Sequence, residues 1–315
     1  MFRASGRGGG VGEAARRGVY GSPIEGLKID TAGAEQLSPL VPGAAALEDL
    51  GEGALDGLVI VAPPGTAERR HALALGLKAL RPGAPFTVLA PKDKGGSRLG
   101  DELDAFGCRF EETGKRHHRI CVGVRPEAPQ GLDEAVAAGA PRLVEALGLW
   151  SQPGIFSWDR LDPGSALLIE MLPALAGRGA DFGCGLGVLS HAALRSPKVK
   201  ALTLIDVDRR AVEAAKRNVD DPRATVRWAD LRTGPQGLAN LDFVVMNPPF
   251  HQGGIEDQGL GQGFVATAAK ALRRGGALWL TANRHLPYEG VLKPLFGRVE
   301  VRAEARGFKV FEART

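Results

Sequence analysis

From Leu55 onward, short apolar runs alternate with longer amphipathic stretches, the pattern of a sheet covered by helices. Residues 58–62 and 86–90 predict buried strands. Between them, residues 66–80 place Ala72, Leu73, Leu77 and Leu80 on one helical face, and Pro82-Gly83 ends the helix. Residues 132–147 predict a second helix, and 148–154, with Trp150 and Pro153, predict a boundary. The second half repeats the rhythm with helices at 166–176, 188–194, 211–218 and 264–272. Strands are expected at 179–182, 200–205, 225–228, 243–246 and 277–282, then a hairpin of 299–302 and 308–312 turning at Gly307. Residues 1–22, rich in Gly and Arg with little apolar content, predict a disordered tail. Gly8, Gly10 and Gly12 there spell a nucleotide-loop pattern, but no apolar strand precedes them.

The halves also echo each other. Leu55-Asp56, a strand and Pro63-Pro64 match Leu241-Asp242, a strand and Pro248-Pro249. Ala79-Leu80-Arg81 then matches Ala271-Leu272-Arg273, and Phe106-Gly107 matches Phe296-Gly297. Asp181 lies 66 residues before Asn247, and the same step back from Ala62 falls before the first residue. The first copy is therefore expected to lack a nucleotide-binding half, and it has Ala62 where the second has Asn247.

The sharpest chemical signal is Asp181-Phe182-Gly183-Cys184-Gly185-Leu186-Gly187, a strand end running through three glycines into a helix. Such glycines let the backbone turn and approach a ligand closely. Asp206 ends the next strand, where a carboxylate can accept both hydroxyls of a ribose, with Val207 beside it. Asp208 reads as the N-cap of the following helix. Asp230, followed by Leu231, ends the third strand and could accept an adenine amino group. Asn247-Pro248-Pro249-Phe250 ends the fourth. Two prolines cannot extend a strand ladder, so the Asn247 amide and Pro248 carbonyl are left as acceptors for a planar amine, with Phe250 as a stacking face.

At these residues the sequence resembles the class I S-adenosylmethionine-dependent methyltransferases that act on exocyclic amines. More narrowly, Gly154-Ile155-Phe156-Ser157, Leu161-Asp162-Pro163-Gly164-Ser165, Ala282-Asn283-Arg284-His285-Leu286-Pro287-Tyr288 and Phe308-Lys309-Val310 resemble the bacterial ribosomal RNA small-subunit guanine-N2 methyltransferases, the RsmC group. The glycine-rich stretch 177–180 departs from that group, which usually has an apolar first strand there.

The resemblance implies an α/β chain of two tandem Rossmann-like methyltransferase domains. A degenerate one at 23–150 would position RNA or stabilise its partner. A catalytic one at 151–315 would carry a seven-stranded, mostly parallel sheet with a C-terminal antiparallel hairpin. Asp181, Gly183, Gly185, Gly187, Asp206, Val207, Asp230 and Leu231 would hold S-adenosylmethionine. Asn247, Pro248, Pro249 and Phe250 would receive a guanine amine of small-subunit ribosomal RNA, flipped out if it lies in a duplex. Arg284 and His285, following a strand at the same sheet edge, would contact RNA. Three other readings stay open: a methyltransferase for a protein glutamine, as in translation release factors, the nearest rival; a DNA amino-methyltransferase; and a non-catalytic RNA-binding or assembly factor that kept the fold.

Composition narrows this further. Among 315 residues, 44% are hydrophobic and 24% charged, a globular balance, and the longest apolar run (58–62) is too short for a membrane span. With no apolar segment behind Arg3 and Arg7, no secretory signal is expected, so a cytoplasmic location is. Cys108, Cys121 and Cys184 are too widely spaced for a metal motif or disulfide framework, and no metal site is expected. Residues 1–150 carry 18 Lys and Arg against 19 Asp and Glu, and residues 151–315 carry 22 against 17, so the positive excess lies in the half with the glycine loop. Lys115 to Arg119 reads as a solvated strand edge, on which His117 and His118 would face opposite sides.

Overall fold

The computed structural model describes residues 15–249, 251–252, 255–256 and 258–315. Its first unit is a six-stranded sheet of β1 (Arg17–Tyr20), β2 (Glu35–Gln36), β3 (Gly57–Val61), β4 (Pro85–Pro91), β5 (Arg109–Lys115) and β6 (His118–Val124). The spatial order is β2-β1-β3-β4-β6-β5, parallel as far as β4, with β6 antiparallel to both its neighbours. Helices α1 (Thr66–Ala79), α2 (Leu99–Ala105) and α3 (Leu132–Gly139) accompany it. A small hairpin, β7 (Arg142–Val144) and β8 (Leu149–Ser151), leads into the second unit.

That unit runs α4 (Pro163–Met171), β9 (Gly177–Phe182), α5 (Val188–Leu194), β10 (Val199–Asp206), α6 (Arg209–Asn218), β11 (Ala224–Trp228) and β12 (Leu241–Met246). After a short pair, β13 (His251–Gln252) and β14 (Ile255–Glu256), come α7 (Gln258–Ala271), β15 (Leu272–Asn283), α8 (Tyr288–Leu292), β16 (Arg298–Ala305) and β17 (Phe308–Arg314). Its seven strands lie in the order β11-β10-β9-β12-β15-β17-β16, parallel except for the β16/β17 hairpin. Central positions such as Ala180, Leu204, Ile205, Val244, Val245 and Leu280 are wholly buried, as expected of strands covered on both faces. Among the described residues, no helix is long and apolar enough to cross a membrane.

The two sheets repeat one plan down to the register. Tyr20 pairs with Ile60 as Phe182 pairs with Met246, and the Leu55–Leu80 bridge matches the Leu241–Leu272 pair. The polar clasp at the sheet's base is repeated too. Asp56 accepts the backbone N–H of Arg16 and pairs with Arg81, while Asp242 accepts that of Arg178 and pairs with Arg273. This corrects the expectation that the first copy has no room for a leading half. Its leading strand is β1, closer to β3 because the first sheet has no counterpart of the outermost strand, β11. By register, Val19 occupies the place of Asp181, Ser38 that of Asp206 and Val61, rather than the expected Ala62, that of Asn247. No helix separates β1 from β2. The acids and the amide of the second copy thus have no equivalent in the first.

Four local expectations also change. Residues 17–20 are strand, not tail, because Gly18 lets Leu37, Leu55 and Leu58 close over it: a Cβ there would lie 2.6 Å from Leu37. Residues 1–14 of that stretch lie outside the described residues. The helix expected over 132–147 stops at Gly139, before Pro141, and 142–151 form a hairpin. Lys115 to Arg119 spans the β5/β6 turn, with Arg116 and His117 at φ 45° and 60°, so the two histidines do not share a strand. The glycine-rich start of β9 is a full strand, six residues long, because Gly179 leaves room for the Phe243 ring: a Cβ would sit 2.1 Å from it.

Candidate active site

The parallel strands β9, β10, β11 and β12 all end at one edge of the sheet, and their carboxyl ends open on a cavity of about 280 Å³. Open α/β sheets bind ligands at this edge. Gly183, Gly185, Asp206, Val207, Leu231, Asn247, Pro248 and Pro249 line it, so eight of the expected site residues converge. A smaller space of about 40 Å³ continues past Gly183, Gly185 and Asn247 toward Arg160 and Leu161.

Loop geometry explains all three glycines. Gly183 and Gly185 have φ of +72° and +52°, where side chains are strained, and nothing lies within 4 Å of a Cβ placed on Gly185. The Gly185 backbone is therefore bare toward the cavity. Gly187, at φ +84°, is likewise left-handed, at the N-cap of α5; it does not line the cavity, and a Cβ there would also press 2.6 Å from Val219, the residue after α6.

Asp206 braces the loop. Its Oδ2 accepts the Gly185 N–H at 2.8 Å and its Oδ1 the Asp208 N–H at 2.9 Å, leaving each oxygen further lone-pair capacity toward the cavity. Burial pushes its pKa up to about 6. Asp208 caps α6 as expected, accepting the Arg210 N–H, and lines the cavity as well.

Asp181 is placed differently. It is wholly buried beneath the loop, takes the Ser190 hydroxyl at 2.7 Å, and has no partner for Oδ1. It does not line the cavity, and burial raises its pKa from 3.8 to about 7. A carboxyl whose folded pKa lies above its unfolded one stabilises the fold only while protonated, so its contribution is full below about pH 4 and is lost as pH rises through about 7. Asp181→Asn keeps an acceptor for Ser190 and removes this loss. Its melting temperature relative to wild type should climb between pH 5 and pH 8; a pH-independent difference would contradict the buried, proton-binding state.

Asp230 also departs from its expected role. Its carboxylate caps the turn at Leu231–Thr233 and is held by the Arg232 guanidinium at 2.6 Å, which keeps its pKa low, and it does not line the cavity. Leu231, beside it, does. Arg284 and His285 are exposed at the carboxyl end of β15. Arg284 is 67% exposed in its side chain and 3.8 Å from Glu304. Phe250 lies outside the described residues.

Asn247 is held from behind. Its Nδ2 donates to Asp162 Oδ2 at 2.8 Å and to Ser165 Oγ at 3.0 Å. Neither partner was singled out from the sequence, although both fall in the 161–165 motif. Gly154, Ile155, Phe156, Ala211, Ala229 and Phe264 complete the wall; the first three fall in the 154–157 motif, but none was marked as a site residue. Small or apolar, they carry no chemical mark until the fold brings them together. Cys184 is buried under the loop, its thiol pKa pushed up by burial, which suits packing rather than nucleophilic attack.

The methyltransferase small domain family matches residues 146–312, the stretch that builds this cavity. The ribosomal RNA small subunit methyltransferase C of Pseudomonas paraeruginosa is 34% identical over 286 residues, covering 89% of this chain and 85% of the relative. The chain belongs to the ribosomal RNA small subunit methyltransferase C family. The Shewanella sediminis member of that family is 31% identical over 263 residues, covering 81% of this chain and 76% of its own. The T. Thermophilus 16S rRNA N2 methyltransferase (RsmC), solved in complex with AdoMet and guanosine, has a TM-score of 0.77 at 25% identity, over 97% of this chain and 90% of that one. This small subunit methyltransferase C likeness thus runs through both sheets.

Proposed function

We propose that this chain transfers a methyl group from S-adenosylmethionine to the N2 amine of a guanine in small-subunit ribosomal RNA. The convergence of Gly183, Gly185, Asp206 and Asn247 on one cavity carries the reading. The donor set fits the cofactor. Asp206 offers acceptors for ribose hydroxyls, Ile155, Val207, Ala211, Leu231 and Phe264 form apolar walls for a purine, and the bare Gly185 backbone admits the remainder. When bound, the cofactor supplies an electrophilic methyl on a sulfonium.

The residues of the chain contribute position and charge. Asn247 Oδ1 and the Pro248 carbonyl accept the two N–H bonds of the target amine and turn its lone pair toward the methyl. As the N–C bond forms and the methyl–sulfur bond breaks, the nitrogen becomes cationic and its hydrogens become stronger donors, one of which then leaves as a proton to water. Two fixed acceptors therefore hold the transition state more tightly than the ground state. No covalent intermediate is needed, and catalysis rests on orientation. In this reading Phe250 supplies the stacking face, the first sheet supports the second, and the protein works in the cytoplasm.

Unmodified small subunits incubated with labelled S-adenosylmethionine should yield N2-methylguanosine in the digested RNA by mass spectrometry. Label found in a protein and absent from RNA would overturn the reading. Arg284 and His285 are proposed as RNA contacts, and Arg284→Ala should flatten the dependence of RNA binding on salt by about one counterion. An unchanged slope removes Arg284 from the footprint.

A further inference from the structure

We infer that Asp162 and Ser165 are positioning residues that determine which end of the Asn247 amide faces the substrate amine. The inference rests on the reading of Asn247 as the amine acceptor and extends it to two residues behind that amide, which line the smaller space beside the cavity. A side-chain amide has a donor end and an acceptor end of nearly equal size. Only one orientation serves this reaction, because an amine presenting two N–H bonds needs the oxygen, and the flipped amide would oppose donor to donor. Nothing in Asn247 itself chooses between them.

Asp162 makes the choice. An ionised carboxylate can only accept, so the end of Asn247 that meets Asp162 Oδ2 at 2.8 Å must be the nitrogen. Ser165 Oγ takes the second amide hydrogen at 3.0 Å. With both Nδ2 hydrogens spent, Oδ1 is the free end.

Asp162 is itself held in place. The same Oδ2 accepts the Ser165 backbone N–H at 2.8 Å, capping α4, and Pro163 follows at the first helical position. Gly164 leaves room for this arrangement, since a Cβ would lie 2.7 Å from the Phe308 ring and 3.1 Å from Asp162 Oδ2. The Asp162-Pro163-Gly164-Ser165 segment is thus a rigid bracket. Helix α4 rests on β15 and β17, and through the bracket that packing reaches the end of β12.

A swap of the pair tests this in the full-length chain. Asn247→Asp alone sets two carboxylates against each other and should lower kcat on the order of 10²-fold or more. Adding Asp162→Asn restores a donor opposite an acceptor, with Ser165 able to turn its hydroxyl to donate. The double variant should recover about tenfold of that loss, with cofactor affinity within about threefold of wild type, the scale expected when orientation and not binding is repaired. Ser165→Ala, which keeps the helix cap, should lower kcat several-fold with KM little changed.

If the double variant is no more active than Asn247→Asp, the positioning role is wrong, and normal turnover of Ser165→Ala removes Ser165 from it. Asn247→Ala separates the two readings. A deep loss there with no rescue in the double variant sinks the positioning role alone, whereas near-normal turnover of Asn247→Ala sinks the acceptor role on which it stands.

Discussion

Asn247→Ala should lower the rate of methyl transfer on the order of 10²–10³-fold, the scale of removing one preorganised polar contact from a reacting centre. The side chain stands at the end of β12, paired on either side by β9 and β15, so truncating it leaves the sheet intact. It lines the cavity but makes only one of many contacts there. Cofactor affinity should therefore stay within about threefold, and the loss should fall on kcat because the lost acceptor matters most as the amine becomes electron-poor. Single-turnover transfer of labelled methyl, set beside equilibrium binding of the cofactor, separates the terms. Turnover within a few-fold of wild type would remove Asn247 from the chemistry; a large drop in cofactor affinity at unchanged kcat would make it a binding residue.

The second large effect is expected far from the amine. Arg210→Ala should destabilise the chain by about 3–5 kcal/mol, the usual result of removing one partner from a buried charge cluster. Arg210 has a side chain 7% exposed, held at 2.8 Å by Asp208 from its own unit and at 2.6 Å by Glu68 from the first. Burial raises the pKa of Glu68 even with this cation beside it, so desolvation outweighs the ion pair and the cluster is costly to assemble. Without the guanidinium, two enclosed carboxylates face each other. The melting temperature should fall on the order of 10 °C. Because Asp208 also lines the cavity, the cofactor should bind more weakly. Glu68→Gln should cost less, since Arg210 keeps Asp208. Melting of Arg210→Ala within about 2 °C of wild type would mean the cluster contributes nothing to stability, against the general behaviour of buried pairs.

The second sheet was legible because its strands are apolar runs ending in residues with a chemical reason to be there. The glycines, Asp206 and Asn247 stand at strand ends, and the alternating pattern predicts where those ends are. The first strand of the first sheet was hidden for the opposite reason. Arg17-Gly18-Val19-Tyr20 is short, begins with a charge and contains a glycine, so its place depends on neighbours far along the chain. Asp181 and Asp230 show the limit of reading acids by position. Each sits at a strand end, yet one is turned beneath the loop to Ser190 and the other is claimed by Arg232 two residues on. The bracket at Asp162 was invisible because its partner is 85 residues away.

The repeated plan of the two sheets bears on where the two units meet. Pro39, just past β2, takes the Arg209 N–H at 2.9 Å, and Glu68, in the first turn after β3, reaches Arg210. Both come from the strand ends that, in the second sheet, open on the cavity. That edge of the first sheet is therefore covered by the second unit, through the N-terminus of α6. Placing acids and an amide at its strand ends would not by itself open a crevice there, because the edge that forms the doorway in one sheet forms the seam in the other.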